Sequence, residues 1–152
     1  VELVGVRSAK EMADIRLKTF KDQEDYRKKN EQYLAKNKKT PGVVTTASGL
    51  QYKIIRKGRG ARPKFDDTVE VNYRGRLIDG TEFDSSYAQG EPATFPVAKV
   101  IKGWTEALML MKKGAKWTLY VPSNLAYGAD GAGEKIRPDS TLIFDIELLK
   151  IK

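Results

Sequence analysis

The groups able to act as acids, bases or nucleophiles in this chain form a restricted set. Among its 152 residues there is no Cys and no His. Thiol nucleophiles, Ser-His-Asp hydrolysis and Cys/His zinc centres each lose a required member. Any chemistry must therefore run on carboxylates, hydroxyls, amines, backbone groups or the shape of a cavity. Asp84 stands before Ser85 and Ser86, where its carboxylate can close an Asx-type turn. Tyr127 stands before Gly128 and reads equally as a loop anchor and as a functional hydroxyl. Trp104, Tyr73, Phe83 and Phe144 offer flat apolar surface, and by spacing alone they read as core. The stretch from Gly128 to Gly133 is glycine-rich but lacks the spacing of a phosphate-binding loop.

These residues sit in short β patterns. Leu50, Tyr52 and Ile54 alternate with Gln51 and Lys53, as a half-buried strand does. Val69, Val71 and Tyr73 repeat the pattern, as do Trp117, Leu119 and Val121 before Pro122. Leu142, Phe144, Ile146 and Leu148 form a last alternation, with Asp145 and Glu147 opposite. Asp79-Gly80 signals a turn. Trp104, Ala107, Leu108 and Met111 follow helical spacing instead. Lys112 and Lys113 suit the C-terminal end of that helix, and Gly114 suits its C′ position. The expected class is α+β: an antiparallel five- or six-stranded sheet wrapped around one short helix, preceded by a long N-terminal helix.

The chain divides near Thr40-Pro41-Gly42, giving an arm over residues 1–40 and a domain over 41–152. Residues 7–39 contain no Pro or Gly. Ser8 and Glu11 suit a capping box, and Met12, Ile15 and Phe20 share one face. The apolar stripe is thin, so this helix reads as a solvated arm, or as a stalk whose Met12/Ile15/Phe20 end meets a partner. Residues 1–39 carry 11 Lys/Arg and 7 Asp/Glu, half of the chain's net +8. The two signs are interleaved, which favours a solvated surface over a binding patch. Aromatic residues are not spaced with basic ones as a stacking platform, so nucleic acid is not the expected partner. No run of about 18 apolar residues occurs, so no membrane-spanning helix is expected. The chain opens on Val1 without a charged-then-apolar leader, which is what removal of a targeting segment or trimming leaves.

Five motifs occur in an order that resembles one family. They are Val71-Asn72-Tyr73-Arg74-Gly75, Asp79-Gly80-Thr81-Glu82-Phe83-Asp84-Ser85-Ser86, Val100-Ile101-Lys102-Gly103-Trp104, Ala126-Tyr127-Gly128, and the stretch Thr141 to Leu148. Together they resemble the FKBP-type peptidyl-prolyl cis–trans isomerases over roughly residues 50–152. The charged helix, with Pro41-Gly42-Val43-Val44 and Ser48-Gly49-Leu50-Gln51-Tyr52, is similar to the bacterial macrophage infectivity potentiator branch. That resemblance implies an enzyme that rotates X-Pro bonds in protein folding, with no cofactor and no metal. Trp104 would be the floor of an apolar pocket. Tyr73, Phe83 and Phe144 would be its walls, and Phe95 a deeper edge. Val100 and Ile101 would border the rim, the Ile101 N–H binding a substrate carbonyl and the Tyr127 hydroxyl another. Asp84 would polarise the amide region or orient Tyr73. Ala126 and Ile136 would complete the surface that holds substrate or macrolides of the rapamycin and tacrolimus type.

The implied partners are proline-containing unfolded polypeptides, macrolide inhibitors, and a second copy met through the N-terminal helix, which resembles a shortened dimerisation segment. The implied compartment is the bacterial periplasm or envelope, with cytoplasm as the alternative. Lys135, Ala93, Gln89 and Arg137 depart from common family residues and are expected to make the pocket rim more polar and basic. A non-catalytic chaperone or peptide-binding module on the same fold is the rival reading.

Overall fold

The computed structural model describes the backbone of residues 9–152 and side chains from residue 21 onward. The capping box at Ser8 and Glu11 and the Met12/Ile15/Phe20 face lie outside the described residues. The elements are helix α1 (Ala9–Asn37), strands β1 (Val43–Thr45), β2 (Gln51–Arg56), β3 (Thr68–Arg76) and β4 (Glu82–Ser85), the one-turn helix α2 (Ser86–Gln89), β5 (Ala93–Pro96), helix α3 (Lys102–Leu110), β6 (Lys116–Val121) and β7 (Leu142–Ile151). No described helix is long and apolar enough to cross a membrane.

The sheet is wholly antiparallel and runs β1-β2-β6-β7-β3-β4. Its last position is shared. β4 pairs the Arg74–Arg76 end of β3, and β5 pairs the Thr68–Val71 end. Seven strands thus fill six positions, in line with the expected α+β fold. Alternation decides the two faces. Val69, Val71, Leu119, Val121, Ile146 and Leu148 are fully buried, and Trp104, Ala107, Leu108 and Met111 of the α3 segment pack into the same cluster. At about 25 cal/mol per Å², that apolar contact is the main term holding helix to sheet.

Two local expectations are corrected. Helix α3 ends at Leu110, and Met111 is already extended at φ −79° and ψ 144°. Met111 stays in the core from this extended position, and Lys112 and Lys113 lie in the following turn, not on the helix end. Gly114, at φ +87°, shapes that turn. Gln51, which the alternation assigns to the solvent side of β2, is not solvated. It is buried beneath α1, donating from Nε2 to the Leu34 carbonyl at 2.9 Å and accepting from Asn37 Nδ2 at 2.9 Å.

The C-terminal half of α1 docks on the outer face of the sheet, opposite α3. Tyr33 packs against Tyr120, the register partner of Gln51. Asn30 is 2% exposed, accepting from the Thr141 N–H at 2.8 Å and donating to the Tyr26 carbonyl at 2.7 Å. Tyr26 and Ser140 share a hydroxyl–hydroxyl bond at 2.7 Å, and Gln23 donates to the Pro138 carbonyl at 2.8 Å. Residues 23, 26, 30, 33 and 37 are spaced three or four apart, so these contacts come from one face of the helix. Among the described residues this half of the helix is held by hydrogen bonds and two tyrosines rather than by an aliphatic stripe.

Candidate active site

A cavity of about 420 Å³ opens between α3 and the sheet. Tyr73, Phe83, Phe95 and Phe144 reach it from four different strands, and Trp104 from the first turn of α3. Val100 and Ile101 enter from the connection into α3, and Tyr127 from the loop after β6. Lys99 also borders the opening, although nothing in its local sequence pattern separates it from other surface lysines.

The rings hold one another at steep angles. Trp104 stands edge-on to Tyr73 at 5.2 Å, to Phe95 at 5.5 Å and to Phe144 at 5.2 Å between centroids. Phe83 meets Phe144 at 5.6 Å. Each such contact contributes about 0.5–1.5 kcal/mol beyond area burial, so the walls are preorganised. The aromatic residues are thus both core and lining. The Trp104 indole N–H is buried without an acceptor among the described residues, which costs about 1–3 kcal/mol.

Asp84 performs two tasks at the edge. Its Oδ1 accepts from the adjacent Ser85 N–H at 2.9 Å while both residues remain extended in β4, so the expected Asx-type turn does not form, and its Oδ2 accepts from the Tyr73 hydroxyl at 2.6 Å. Burial, reinforced by that hydrogen bond to a carboxylate, pushes the Tyr73 hydroxyl well above the usual tyrosine range. Tyr73 therefore stays protonated and donates. Ser85 caps α2 through its side chain, and Ser86 Oγ accepts from the Tyr73 N–H at 2.8 Å. The Asp-Ser-Ser run fixes the strand-to-helix corner from which Asp84 projects.

Two donors at the opening are unused among the described residues. The Ile101 N–H makes no hydrogen bond among the described residues, although the Ile101 carbonyl starts α3 by accepting from Trp104 and Thr105. The Tyr127 side chain is 42% exposed and lines the cavity mouth. Ala126 instead packs against the core and does not line the cavity, because the backbone after the turn at Ser123–Leu125 presents the next residue, Tyr127. Ile136 is 6% exposed and lines a neighbouring depression with Lys135, Phe83, Asp84 and Tyr127.

Of the four departures, Lys135 and Gln89 border the site, Gln89 lying 3.5 Å from Asp84 Oδ1. Ala93 and Arg137 do not. Ala93 pairs with Val71 and packs on the core. Arg137 turns away to stack on the Tyr26 ring at 4.0 Å and to donate to Gln23 Oε1 at 3.1 Å. Its charge serves the docking of α1, not the pocket rim.

The chain matches the family described as FKBP-type peptidyl-prolyl cis-trans isomerase over residues 60–149. Residues 6–54 match the domain amino terminal to FKBP-type peptidyl-prolyl isomerase. It is 57% identical over 125 residues to the probable FKBP-type peptidyl-prolyl cis-trans isomerase FkpA of Neisseria meningitidis serogroup B, covering 82% of this chain and 46% of that protein. It is 52% identical over 132 residues to the outer membrane protein MIP of Legionella longbeachae, covering 87% of this chain and 57% of that protein. The chain spans about half the length of the curated relatives it matches. The crystal structure of FkpA from Escherichia coli superposes with a TM-score of 0.85 at 47% identity, covering 95% of this chain and 67% of that one.

Proposed function

We propose that this chain, which belongs to the FKBP-type peptidyl-prolyl cis-trans isomerase family, accelerates rotation about X-Pro bonds in unfolded or partly folded polypeptides. The observation that carries the reading is a cavity of about 420 Å³, room for a prolyl ring and parts of its neighbours, walled by five aromatic rings and bordered by two donors unused among the described residues. Rotation of the amide faces a barrier of about 18–20 kcal/mol because the C–N bond has double-bond character. No bond breaks, so no nucleophile is needed, and a chain without Cys or His is suited to the task. The twisted amide is less dipolar than the planar one and loses less on leaving water. An apolar pocket therefore favours it, and a thousandfold acceleration requires only about 4 kcal/mol of such preference.

In this reading the prolyl ring rests on Trp104 between Tyr73, Phe95 and Phe144. The Ile101 N–H and Tyr127 hydroxyl hold flanking carbonyls. Asp84 holds Tyr73 in place and presents its remaining charge to the amide. Macrolides of the rapamycin type compete for the same rings. Residues 41–152 are the isomerase unit, and residues 1–40 an arm through which a second copy docks. The name of the Legionella longbeachae relative, outer membrane protein MIP, supports placing this chain in the cell envelope.

The test is NMR exchange between cis and trans forms of a short X-Leu-Pro-Phe peptide, with folded Trp104→Ala and Asp84→Ala variants alongside. Strong acceleration, reduced in both variants and blocked by rapamycin, is the expected result. Acceleration without inhibition would leave the enzyme and remove the macrolide claim. No acceleration by folded protein would sink catalysis and leave a peptide-binding module.

A further inference from the structure

The interleaving of charge read from the sequence breaks down in one segment. From Lys53 to Phe65 there are six Lys/Arg and no Asp or Glu. The loop after β2 is tied to the turn after α3. The Arg59 and Gly60 N–H groups both donate to the Lys113 carbonyl at 3.1 Å, the Lys113 N–H donates to the Ala61 carbonyl at 2.9 Å, and Arg62 Nε donates to the Leu110 carbonyl at 3.1 Å. The fit is close. A Cβ on Gly58, at φ +75°, would lie 2.5 Å from the Ala115 nitrogen, and one on Gly60 would lie 2.5 Å from Lys113 Cβ. Stitching loop to turn adds Lys112 and Lys113 to the cationic run and fixes the whole as a platform.

Most of this charge is unpaired. Among the described residues, Arg56 is bonded to Glu147, but Lys57, Arg59, Arg62, Lys64, Lys112 and Lys113 are in no ion pair. The nearby Asp67 directs its carboxylate to the Lys64 N–H of its own turn. Among these cations lie bare aliphatic side chains. Ile54 and Leu110 are each 40% exposed and Met109 is 38% exposed. Ile54 and Leu110 flank a cleft of about 150 Å³, with Lys57, Arg62 and Lys112 around it and Trp117 as its aromatic wall. Exposed large apolar groups gathered on a charged surface mark an interaction site.

We propose that this platform docks the protein onto a bilayer surface that contains anionic phospholipid. The charge asks for an anionic partner, and the interspersed Ile54, Met109 and Leu110 ask for one with an apolar layer just behind its charges. An anionic headgroup region over acyl chains supplies both. A nucleic acid would leave the aliphatic groups in water and would want exposed rings to stack on. Trp117 is instead buried and stacked on Tyr52 at 4.2 Å, and Phe65, 58% exposed at the end of the run, is a single ring that an acyl boundary also accommodates. Position also favours a surface partner. The cleft lies at the C-terminal end of α3 and the prolyl pocket at its N-terminal end, about 13 Å apart along nine residues of helix. Docking at one end leaves the other open to substrate.

The experiment is co-sedimentation of the full chain with phosphatidylcholine vesicles and with vesicles of equal parts phosphatidylglycerol and phosphatidylcholine. Binding is expected only to the second and should weaken as salt rises. Lys57→Gln/Arg59→Gln/Lys64→Gln should bind about 100-fold more weakly, at roughly fivefold per lost charge. Met109→Ser/Leu110→Ser should lose about tenfold. Both variants should keep their circular dichroism and their isomerase rate, since none of these side chains lines the pocket. Absence of binding to anionic vesicles, or equal binding by the charge variant, would overturn the proposal. So would binding indifferent to Met109 and Leu110 and displaced by polyglutamate, which would make the platform a site for acidic polypeptides.

Discussion

Replacing Asn30 with Ala probes whether α1 is part of the domain or merely leads up to it. In the structure Asn30 Oδ1 is the acceptor for the Thr141 N–H at 2.8 Å, and Asn30 and Thr141 are each 2% exposed. Alanine leaves that N–H buried without a partner, a loss of about 1–3 kcal/mol. The Tyr26 carbonyl also loses the bond from Nδ2, but it keeps its place in the helix and adds little. A net destabilisation of about 2 kcal/mol follows, a large share of the 5–15 kcal/mol typical of a domain. In urea it lowers the midpoint by roughly 1 M at an m-value near 2 kcal/mol/M. Unfolding should be followed both by tryptophan fluorescence, which reports Trp104 and Trp117, and by far-UV circular dichroism, to which α1 contributes heavily. Coincident transitions would mark helix and sheet as one cooperative unit. Lys29→Ala, at an exposed position of the same helix, should stay within about 0.5 kcal/mol. If Asn30→Ala is equally silent, the helix does not dock as described and the reasoning fails.

Gly75→Ala should damage the pocket from behind. A Cβ there would lie 2.6 Å from Phe83 Cζ and 2.9 Å from Phe144 Cε1, so both walls must shift. A cost of about 1–3 kcal/mol and a fall in kcat/KM of about tenfold or more are expected; unchanged kinetics would show that these rings do not set the geometry of turnover. The pH profile offers a separate check. With no His or Cys and the Tyr73 hydroxyl held above its ordinary range by burial and by Asp84, kcat/KM should be flat from about pH 6 to 9. Because the folded state raises that tyrosine's pKa, its contribution to stability is complete below the unfolded value of about 10 and is lost as pH rises beyond it. Urea midpoints compared at about pH 9 and 11 should fall, and less so in Tyr73→Phe.

Local order was written in the chain wherever burial follows a period. Val69, Val71 and Tyr73, Trp117, Leu119 and Val121, and Leu142 through Leu148 reveal strands because a sheet face repeats every second residue. Trp104, Ala107, Leu108 and Met111 reveal a helix face for the same reason, and the ordered motifs around Tyr73, Asp84, Trp104 and Tyr127 point to the pocket. Tertiary structure alone decided what polar residues do at long range. Gln23, Asn30 and Gln51 satisfy partners 115, 111 and 17 residues away, and a hydrogen bond between distant groups leaves no hydrophobic period to read. Arg137 looks in sequence like part of the pocket loop, yet its side chain lies on Tyr26. The cationic platform likewise exists only because the backbone ties Arg59 and Ala61 to Lys113, bringing together charges that lie some fifty residues apart along the chain. Patterns of hydropathy report which face of an element is buried, whereas which elements meet, and which polar groups then complete one another, is settled only when the chain has folded.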